Sequence, residues 1–235
     1  MKITLKNTHS LININTMGAY IGNFEINNKP IFFPRVMVKI GQELKVRGGM
    51  HICAPNFGAN NTDLELDQHG FARDLEWEVI DQKESSILLK LDGIKDYENV
   101  EFRLNYELKD TSLFARLEII NNSNERKLIS PGFHPYFYQD HRPILINNVE
   151  FEKDKLIDSI YEPGKNQEFI ANGNHIEIRG LQNINEYVFW TDFKGDYICI
   201  EPTYKGNSFE VDYKDSYELK ENESFVQEIE IKVFD

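Results

Sequence analysis

The chain has 235 residues, and 26 lysines and arginines against 39 aspartates and glutamates give a formal net charge of −13. So acidic a chain is a poor match for nucleic acid or an anionic membrane surface, because both are bound through basic patches. The length fits one large β domain or two small ones, each with enough core to fold.

Neither the cysteines nor the first segment of the chain indicates a secreted or membrane protein. Cys53 and Cys199 are too few and too far apart for a disulfide framework or a zinc motif. The first fifteen residues carry no apolar core and no small-residue cleavage site, and no apolar run approaches the ~20 residues of a membrane span. We therefore expect a soluble protein of the reduced cytoplasm.

Alternation of apolar and polar residues with a period of two dominates the middle and the end of the chain. It is found in the segments SILLKLDG (86–93), VEFRLNYEL (100–108), LFARLEII (113–120) and SFVQEIEIKVF (224–234). The polar stretches KDTS and NNSNE follow the second and third segments as turns. The pattern predicts an all-β protein built from large antiparallel sheets.

The sequence gives no sign of a division into several domains. Gly/Ser-rich linkers, Pro-rich linkers and repeats of fixed period are absent, so residues 1–235 are predicted to form a single domain. The polar stretch 56–68, rich in Asn and Asp, is typical of a surface loop of the kind that often borders a binding site.

The segment VRGGMHICAPNFG (46–58) carries a first candidate binding residue. Gly48 and Gly49 allow a close backbone approach, and Arg47 beside them could hold an oxygen-rich ligand through its fork of donors. Read alone, the segment is explained better by a glycine turn with an exposed arginine.

The segment QHGFARDLEW (68–77) carries two more candidates. His69 and Arg73 flank an apolar pair, and a turn or short strand could direct both into one pocket. A structural histidine and a solvated arginine are the simpler interpretation of this segment by itself.

The segment SPGFHPYFYQDHRP (130–143) contains two histidines in different surroundings. Pro135 restricts His134 to an extended backbone, which places its ring at a strand end and holds it in one direction. An imidazole with a reference pKa of about 6.5 suits proton transfer near neutral pH, although a packed core histidine is the alternative. His141 lies among polar residues and is predicted to be a surface residue.

The segment DYICIEPTYKGNSFE (196–210) places a carboxylate on an apolar strand. Glu201 shares a face with Cys199 and precedes Pro202, which puts it at an extended strand end. Burying a carboxylate unpaired is costly, so Glu201 is exposed at a rim, paired with a cation, or a base with a raised pKa.

No cofactor motif accompanies these residues. The sequence contains no nucleophile elbow, phosphate-binding loop, dinucleotide fingerprint or zinc helix. His69, His134 and Glu201 could be imagined as metal ligands, but their spacing matches no recognised pattern, so neither a metal nor another cofactor is expected.

Taken together, the four segments resemble the aldose 1-epimerase (galactose mutarotase-like) superfamily. The matching motifs are RGG with a later P and G (47–58), HGFAR with a later W (69–77), HPYF (134–137) and EP (201–202). Their order is similar to the branch that holds the glucose-6-phosphate 1-epimerases and the epimerase-like proteins of sugar operons. LFARLEIINNSNERKL and GAYIGNFEINNKP also resemble family segments, so the resemblance covers nearly the whole chain.

The resemblance implies a fold and a reaction. The fold is a β-supersandwich of large antiparallel sheets, and the reaction interconverts the α and β anomers of an aldose without a cofactor. In family members a glutamate takes the proton of the C1 hydroxyl while a histidine protonates the ring oxygen. The ring then opens, turns about C1–C2 and closes on the other face.

By this resemblance Glu201 is the catalytic base and His134 the catalytic acid. Each such group typically contributes ~10²–10⁴-fold to the rate. Spacing along the chain cannot show whether the two groups face the same substrate. We expect them at opposite edges of one sugar-sized hollow, about a pyranose apart.

Four further residues match family binding positions. His69 is similar to a second histidine that positions sugar oxygens, and Arg47 and Arg73 are similar to binding arginines. Asp158, in LIDSIYEPG, resembles more loosely an aspartate that holds ring hydroxyls.

Two departures from the family pattern bear on the substrate. The chain is short for the family, and ICAPNFG stands where a more aromatic segment is usual. The loop near it carries Asp63, Glu65 and Asp67, which repel a phosphate unless Arg47 and Arg73 both turn toward it. An unphosphorylated aldohexose is therefore favoured over a hexose 6-phosphate.

Three classes of function stay open from the sequence. The first is an anomer-interconverting enzyme of carbohydrate metabolism, acting on a small sugar as a monomer or homodimer. The second is a carbohydrate-binding protein without turnover on the same fold, since a fold does not fix a function. The third is a scaffold whose candidate residues lie on separate faces.

Overall fold

The computed structural model describes residues 1–139, 143–211 and 215–234, so His141 lies outside the described residues. Most of the described chain is strand. The strands are β1 (Lys2–Lys6), β2 (Ser10–Asn15), β3 (Tyr20–Ile26), β4 (Lys29–Pro30), β5 (Val36–Ile40), β6 (Glu43–Arg47), β7 (Met50–Cys53), β8 (Glu78–Gln82), β9 (Ser86–Asp92), β10 (Val100–Lys109), β11 (Ser112–Asn121), β12 (Lys127–Ile129), β13 (Gly132–Tyr138), β14 (Leu145–Ile146), β15 (Val149–Glu150), β16 (Ile160–Pro163), β17 (Asn166–Ala171), β18 (Asn174–Gln182), β19 (Glu186–Trp190), β20 (Tyr197–Thr203), β21 (Tyr217–Leu219) and β22 (Ser224–Phe234). The helices are α1 (Lys153–Ile157), α2 (Ser208–Val211) and the 3-10 turns Ala72–Asp74 and Lys95–Tyr97.

Two nine-stranded antiparallel sheets form the body of the described structure. The first has the order β1-β2-β3-β7-β13-β20-β19-β16, with β4 paired to β3, and the second runs β15-β14-β17-β18-β22-β11-β10-β9-β8. The four segments with period-two alternation are the neighbouring strands β22, β11, β10 and β9 of the second sheet. The predicted all-β class with large antiparallel sheets is therefore confirmed.

Apolar side chains of both sheets meet in one core. Phe24 and Phe137 of the first sheet belong to the same buried cluster as Phe102 and Phe169 of the second. The rings of Phe137 and Phe169 touch edge to face, with centroids 4.8 Å apart. Each such fully buried ring contributes about 1.5–3 kcal/mol to folding, so this packing holds the first sheet in place.

The first sheet turns its other face toward a cavity. On β13, Phe133 and Phe137 point into the core, and successive strand residues point to opposite faces. His134 and Tyr136 therefore lie on the face away from the core. The aromatic residues of this strand therefore face the core and the cavity alternately.

A glycine pair carries the chain from the separate two-stranded ribbon β5–β6 into the first sheet. Gly48 and Gly49 both have positive φ, +92° and +69°. A Cβ atom would lie 2.1 Å from the carbonyl oxygen of Pro34 at the first and of Ile21 at the second. Only glycine fits this conformation and this contact, which sets where β7 enters the sheet.

The described part of the chain has no helix that is long and apolar enough to cross a membrane.

Candidate active site

A row of side chains crosses five strands of the first sheet. His51 on β7 pairs with His134 on β13, and the register of β13 with β20 sets Glu201 beside His134. Val188 on β19 pairs with Glu201, and Tyr161 on β16 pairs with Val188. Paired residues of neighbouring strands project to the same face, so residues far apart in the sequence become neighbours.

A cavity of about 680 Å³ opens above this row. All six candidate residues from the sequence analysis line this cavity, although they come from strands, loops and the end of a helix. They are Arg47, His69, Arg73, His134, Asp158 and Glu201. A scaffold with these side chains on separate faces is not what the structure shows.

His134 and Glu201 touch each other on the floor of the cavity. The Nε2 atom of His134 lies 3.3 Å from Oε2 of Glu201, and both side chains are buried. The expectation that the two groups lie about a pyranose apart is therefore wrong. They sit on adjacent strands at one register position, where side chains are in contact distance.

Burial disfavours charge on either member of this pair. It raises the pKa of Glu201 well above its usual value. Burial also lowers the pKa of His134 well below 6.5, and the neighbouring His51 and His69 add to that effect. The site therefore favours an uncharged imidazole beside an uncharged carboxyl group when no other ligand is bound.

The ring of His134 stacks against two rings. The ring of His51 lies with its centroid 4.6 Å away at an interplanar angle of 25°, and that of Tyr136 lies 4.8 Å away at 12°. Tyr20 stacks in turn on His51 at 5.3 Å. His51 was not predicted from the sequence, although a histidine inside the otherwise apolar strand MHIC is a visible signal.

His69 reaches the cavity from a loop with an unusual backbone. Its φ is +66°, and the backbone N–H of Gly58 donates a 3.1 Å hydrogen bond to its Nδ1. Because Nδ1 accepts, the proton of the neutral ring is on Nε2. Burial lowers the pKa of His69 to about 3, with the charge of Arg73 contributing. His69 is thus a fixed neutral donor 5.3 Å, ring to ring, from His134.

Arg73 lies on the 3-10 turn Ala72–Asp74 and is anchored by its surroundings. Its Nη2 donates a 2.8 Å hydrogen bond to the carbonyl oxygen of Gln68, and its Nε lies 3.5 Å from Oδ2 of Asp74. Its Nη1 lies 3.5 Å from Nε2 of His51. A guanidinium only donates, so His51 presents an acceptor nitrogen to it.

Arg47, the last residue of β6, forms a different part of the wall. Its Nε donates a 3.0 Å hydrogen bond to Oδ2 of Asp192, and both side chains are largely buried. Its guanidinium also lies over the ring of Trp190, 5.3 Å from the centroid. These two partners hold Arg47 at the wall with donors to spare.

Asp158 lies at the rim, directly after α1. Its side chain is exposed and lines the cavity beside Ser159 and Tyr161. Within the described ranges its carboxylate makes no hydrogen bond or ion pair, so it is available to a ligand hydroxyl.

The comparisons with known proteins agree with this architecture. A model of the aldose 1-epimerase family matches residues 1–192. A protein from Synechocystis sp. PCC 6803 is 22% identical, with a TM-score of 0.80 over 99% of this chain and 95% of that chain. A galactose mutarotase related enzyme from Lactobacillus acidophilus is 19% identical, with a TM-score of 0.81 over 100% and 98%.

A galactose mutarotase-like protein from Lactobacillus casei ATCC 334 is 15% identical, with a TM-score of 0.81 over 100% of both chains. Identities this low show a shared fold, and the family match covers most of the chain. The fold is that of the galactose mutarotase-like proteins, and the chain belongs to the aldose 1-epimerase family.

Proposed function

We propose that the protein is an aldose 1-epimerase that interconverts the α and β anomers of a hexose by acid–base ring opening. The observation that carries the proposal is the 3.3 Å contact of His134 with Glu201 on the floor of the cavity. In a pyranose the C1 hydroxyl and the ring oxygen are bonded to the same carbon. Two groups in contact suit two such oxygens, since each group needs a hydrogen-bond distance to only one of them.

The proposed reaction moves protons between the pair and the sugar and breaks one bond. The carboxyl group of Glu201 first passes its proton to Nε2 of His134, 3.3 Å away. The resulting carboxylate then takes the proton of the C1 hydroxyl, while Nε2–H of the His134 imidazolium gives its proton to the ring oxygen. The C1–O5 bond breaks, and C1 becomes an aldehyde. After rotation about C1–C2 the transfers run in reverse, and the other anomer leaves with both groups restored.

Burial of the pair supports this assignment. While the sugar ring is open, Glu201 holds a proton and His134 is neutral, so neither group is charged. The buried floor favours this uncharged state over the separated charges that ring opening consumes. Ring opening therefore returns the pair to the uncharged form that the buried floor also favours before a sugar binds.

The walls of the cavity supply the remaining contacts in this proposal. Nε2–H of His69 and the guanidinium groups of Arg47 and Arg73 donate to sugar oxygens, and Asp158 accepts from a hydroxyl. None of these steps uses a metal or another cofactor. We also propose that residues 1–235 form one domain that acts on small sugars in the cytoplasm, as a monomer or homodimer.

A hexose 6-phosphate is a second candidate substrate, and one observation favours it. Beside Arg47 and Arg73, the cavity is lined by Arg35 and Lys45. Arg35 lies over the ring of Tyr20, 4.1 Å from the centroid, and pairs with no carboxylate of the described residues. A phosphate needs such charged donors. Here they come from residues outside the acidic loop that disfavours a phosphate.

The test is anomer exchange measured by NMR across a panel of aldoses and aldose 6-phosphates. We expect acceleration of at least one sugar above the buffer rate. Glu201→Gln and His134→Ala should each lower that rate by ~10²–10⁴-fold, because each removes one proton-transfer group. Circular dichroism should show that both variants are folded.

Two outcomes would overturn the proposal. If both folded variants match the wild-type rate on every sugar, acid–base catalysis by this pair is wrong. If sugars bind saturably without any acceleration, the protein is a carbohydrate-binding protein on the same fold.

A further inference from the structure

Cys199 is a fully buried thiol that the proposed reaction does not use. It lies on β20 two residues before Glu201, so both side chains project from the same face of the sheet. The register pairs it with Tyr136 on β13 and Trp190 on β19, and Tyr197 packs against it. The thiol therefore lies beside His134 and Glu201, buried beneath the residues that line the cavity.

The ligand atoms of His134, Cys199 and Glu201 lie within 4.8 Å of one another. Zinc bonds of about 2.0–2.3 Å in a tetrahedron separate neighbouring ligand atoms by roughly 3.3–3.7 Å. The 3.3 Å between Nε2 of His134 and Oε2 of Glu201 already has this value. The sulfur needs to approach by about an ångström at most, which is within the reach of a small side-chain rotation.

We propose that His134, Cys199 and Glu201 form a three-ligand binding site for Zn²⁺, and that an ion bound there inhibits the enzyme. The binding of the ion is independent of the proposed function, whereas the inhibition rests on it. Three protein ligands with a fourth position open to solvent or to another ligand is an arrangement that zinc accepts. Here the fourth position faces the cavity.

The donor set selects the metal. Thiolate and imidazole are soft or borderline ligands that favour Zn²⁺ over Mg²⁺ or Ca²⁺, which prefer oxygen. On binding, the imidazole offers the lone pair of Nε2, while the thiol and the carboxyl group release their protons to solvent. The two negative charges of Cys199 and Glu201 balance the ion, so the buried site stays neutral overall.

Inhibition follows from the atoms that the ion would occupy. Nε2 of His134 and Oε2 of Glu201 are the same atoms that exchange protons with the sugar in the proposed reaction. An ion that uses both lone pairs leaves neither an acid nor a base. It also takes the place of C1 and its two oxygens, so zinc and sugar should compete.

The direct test of binding uses Co²⁺ in place of Zn²⁺, because a cobalt–thiolate bond gives a charge-transfer absorption band in the near ultraviolet. We expect one equivalent of Co²⁺ to produce this band in the wild-type protein without any sugar. Cys199→Ser should abolish the band. Cys53→Ser is the matched control, since Cys53 is the only other cysteine and is equally buried, and it should keep the band.

The test of inhibition adds Zn²⁺ to the anomer-exchange assay. Cys199→Ser should raise the half-inhibitory Zn²⁺ concentration by at least about 100-fold, because loss of an outer-sphere partner alone often costs 10–100-fold in affinity. Its rate without zinc should stay near that of the wild type, and Cys53→Ser should be inhibited like the wild type. More sugar should raise the half-inhibitory concentration in the wild type.

Several results would overturn the inference while leaving the proposed function intact. The first is the absence of a cobalt–thiolate band in the wild-type protein. The second is a band that survives in Cys199→Ser, and the third is equal zinc inhibition of the wild type and Cys199→Ser. Zinc bound only by exposed pairs such as His175 and Glu168, 2.7 Å apart, would give no band, because no thiol is near. If Cys199→Ser does not fold, the titration of the wild type and of Cys53→Ser still decides the matter. Conversely, a band in a protein without epimerase activity would overturn the proposed function but keep the ion site.

Discussion

The ring of His134 owes its orientation to its neighbours rather than to hydrogen bonds of its own. Its Nδ1 is buried and has no hydrogen-bond partner among the described residues. The rings of His51 and Tyr136 instead stack against it, with centroids 4.6 Å and 4.8 Å away. Stacked aromatic pairs contribute about 0.5–1.5 kcal/mol beyond the area they bury, which is enough to keep the ring in one rotamer.

This arrangement gives a prediction for His51. His51→Leu removes the stacked ring, so we expect kcat to fall by up to about tenfold, because a proton donor that moves loses efficiency. His51→Phe keeps a flat ring at the same place and should retain most of kcat. KM should change less than kcat in both variants. Equal losses in the two variants would show that the flat ring of residue 51 does not hold His134.

The same residues show what the sequence can and cannot reveal about a site. Four candidate site residues can be recognised in the sequence because each stands in a motif that combines a polar group with glycine, proline or aromatic neighbours. They are His69, Arg73, His134 and Glu201. His51 stands in no such motif, and only its position on β7 places it beside His134. Its partner on β13 is 83 residues away, and no local pattern shows that pairing.

At the scale of elements, register decides the site. The alternation of apolar residues predicts that strands exist and which face of each is buried. It does not predict that β13 lies between β7 and β20, an order that the chain reaches only by long connections. For that reason the sequence singles out His134 and Glu201 as candidate residues, but their 3.3 Å contact does not follow from it.

The entry of β7 into the sheet gives a prediction at this scale. In Gly49→Ala the new Cβ meets the carbonyl oxygen of Ile21 at 2.1 Å, in a residue with φ of +69°. Gly41→Ala is a matched control, because its φ is +63° but nothing lies within 4 Å of the new atom. Conformational strain alone costs about 1–2 kcal/mol at each position.

We therefore expect Gly49→Ala to lower the free energy of unfolding by at least about 1 kcal/mol more than Gly41→Ala does, as measured in urea. Since β7 carries His51, Gly49→Ala should also lower the proposed epimerase activity, whereas Gly41→Ala should not. Equal losses of stability would mean that backbone strain, and not the contact with Ile21, makes glycine necessary at position 49.

At the scale of the whole molecule, two sheets with one shared core hold the cavity floor. The all-β class follows from alternation in strands such as β10, where burial alternates over all ten residues, and β11, where it alternates over the last nine. The packing of one sheet against the other cannot be predicted from the sequence in the same way. The contact of Phe137 with Phe169 joins strands whose sequences, GFHPYFY and NQEFIA, carry no sign of each other.

That contact gives the last prediction, which separates fold stability from catalysis. Phe169→Ala leaves a cavity between the sheets and should lower the free energy of unfolding by about 3–5 kcal/mol. For a protein of this size the melting temperature should drop by roughly 6–20 °C. Ile170→Ala is the matched control on the same strand, because Ile170 points outward and is 53% exposed, and it should cost less than about 1 kcal/mol.

Well below its melting temperature, Phe169→Ala should keep nearly the wild-type kcat, because Phe137 supports β13 from the face opposite His134. The measurements are a thermal melt and anomer exchange at a temperature where the variant is folded. A large loss of kcat in the folded variant would show that packing between the sheets sets the acid–base geometry directly. The register of the first sheet would then not be sufficient to keep Glu201 and His134 in contact, contrary to what the pairing of β7, β13 and β20 implies.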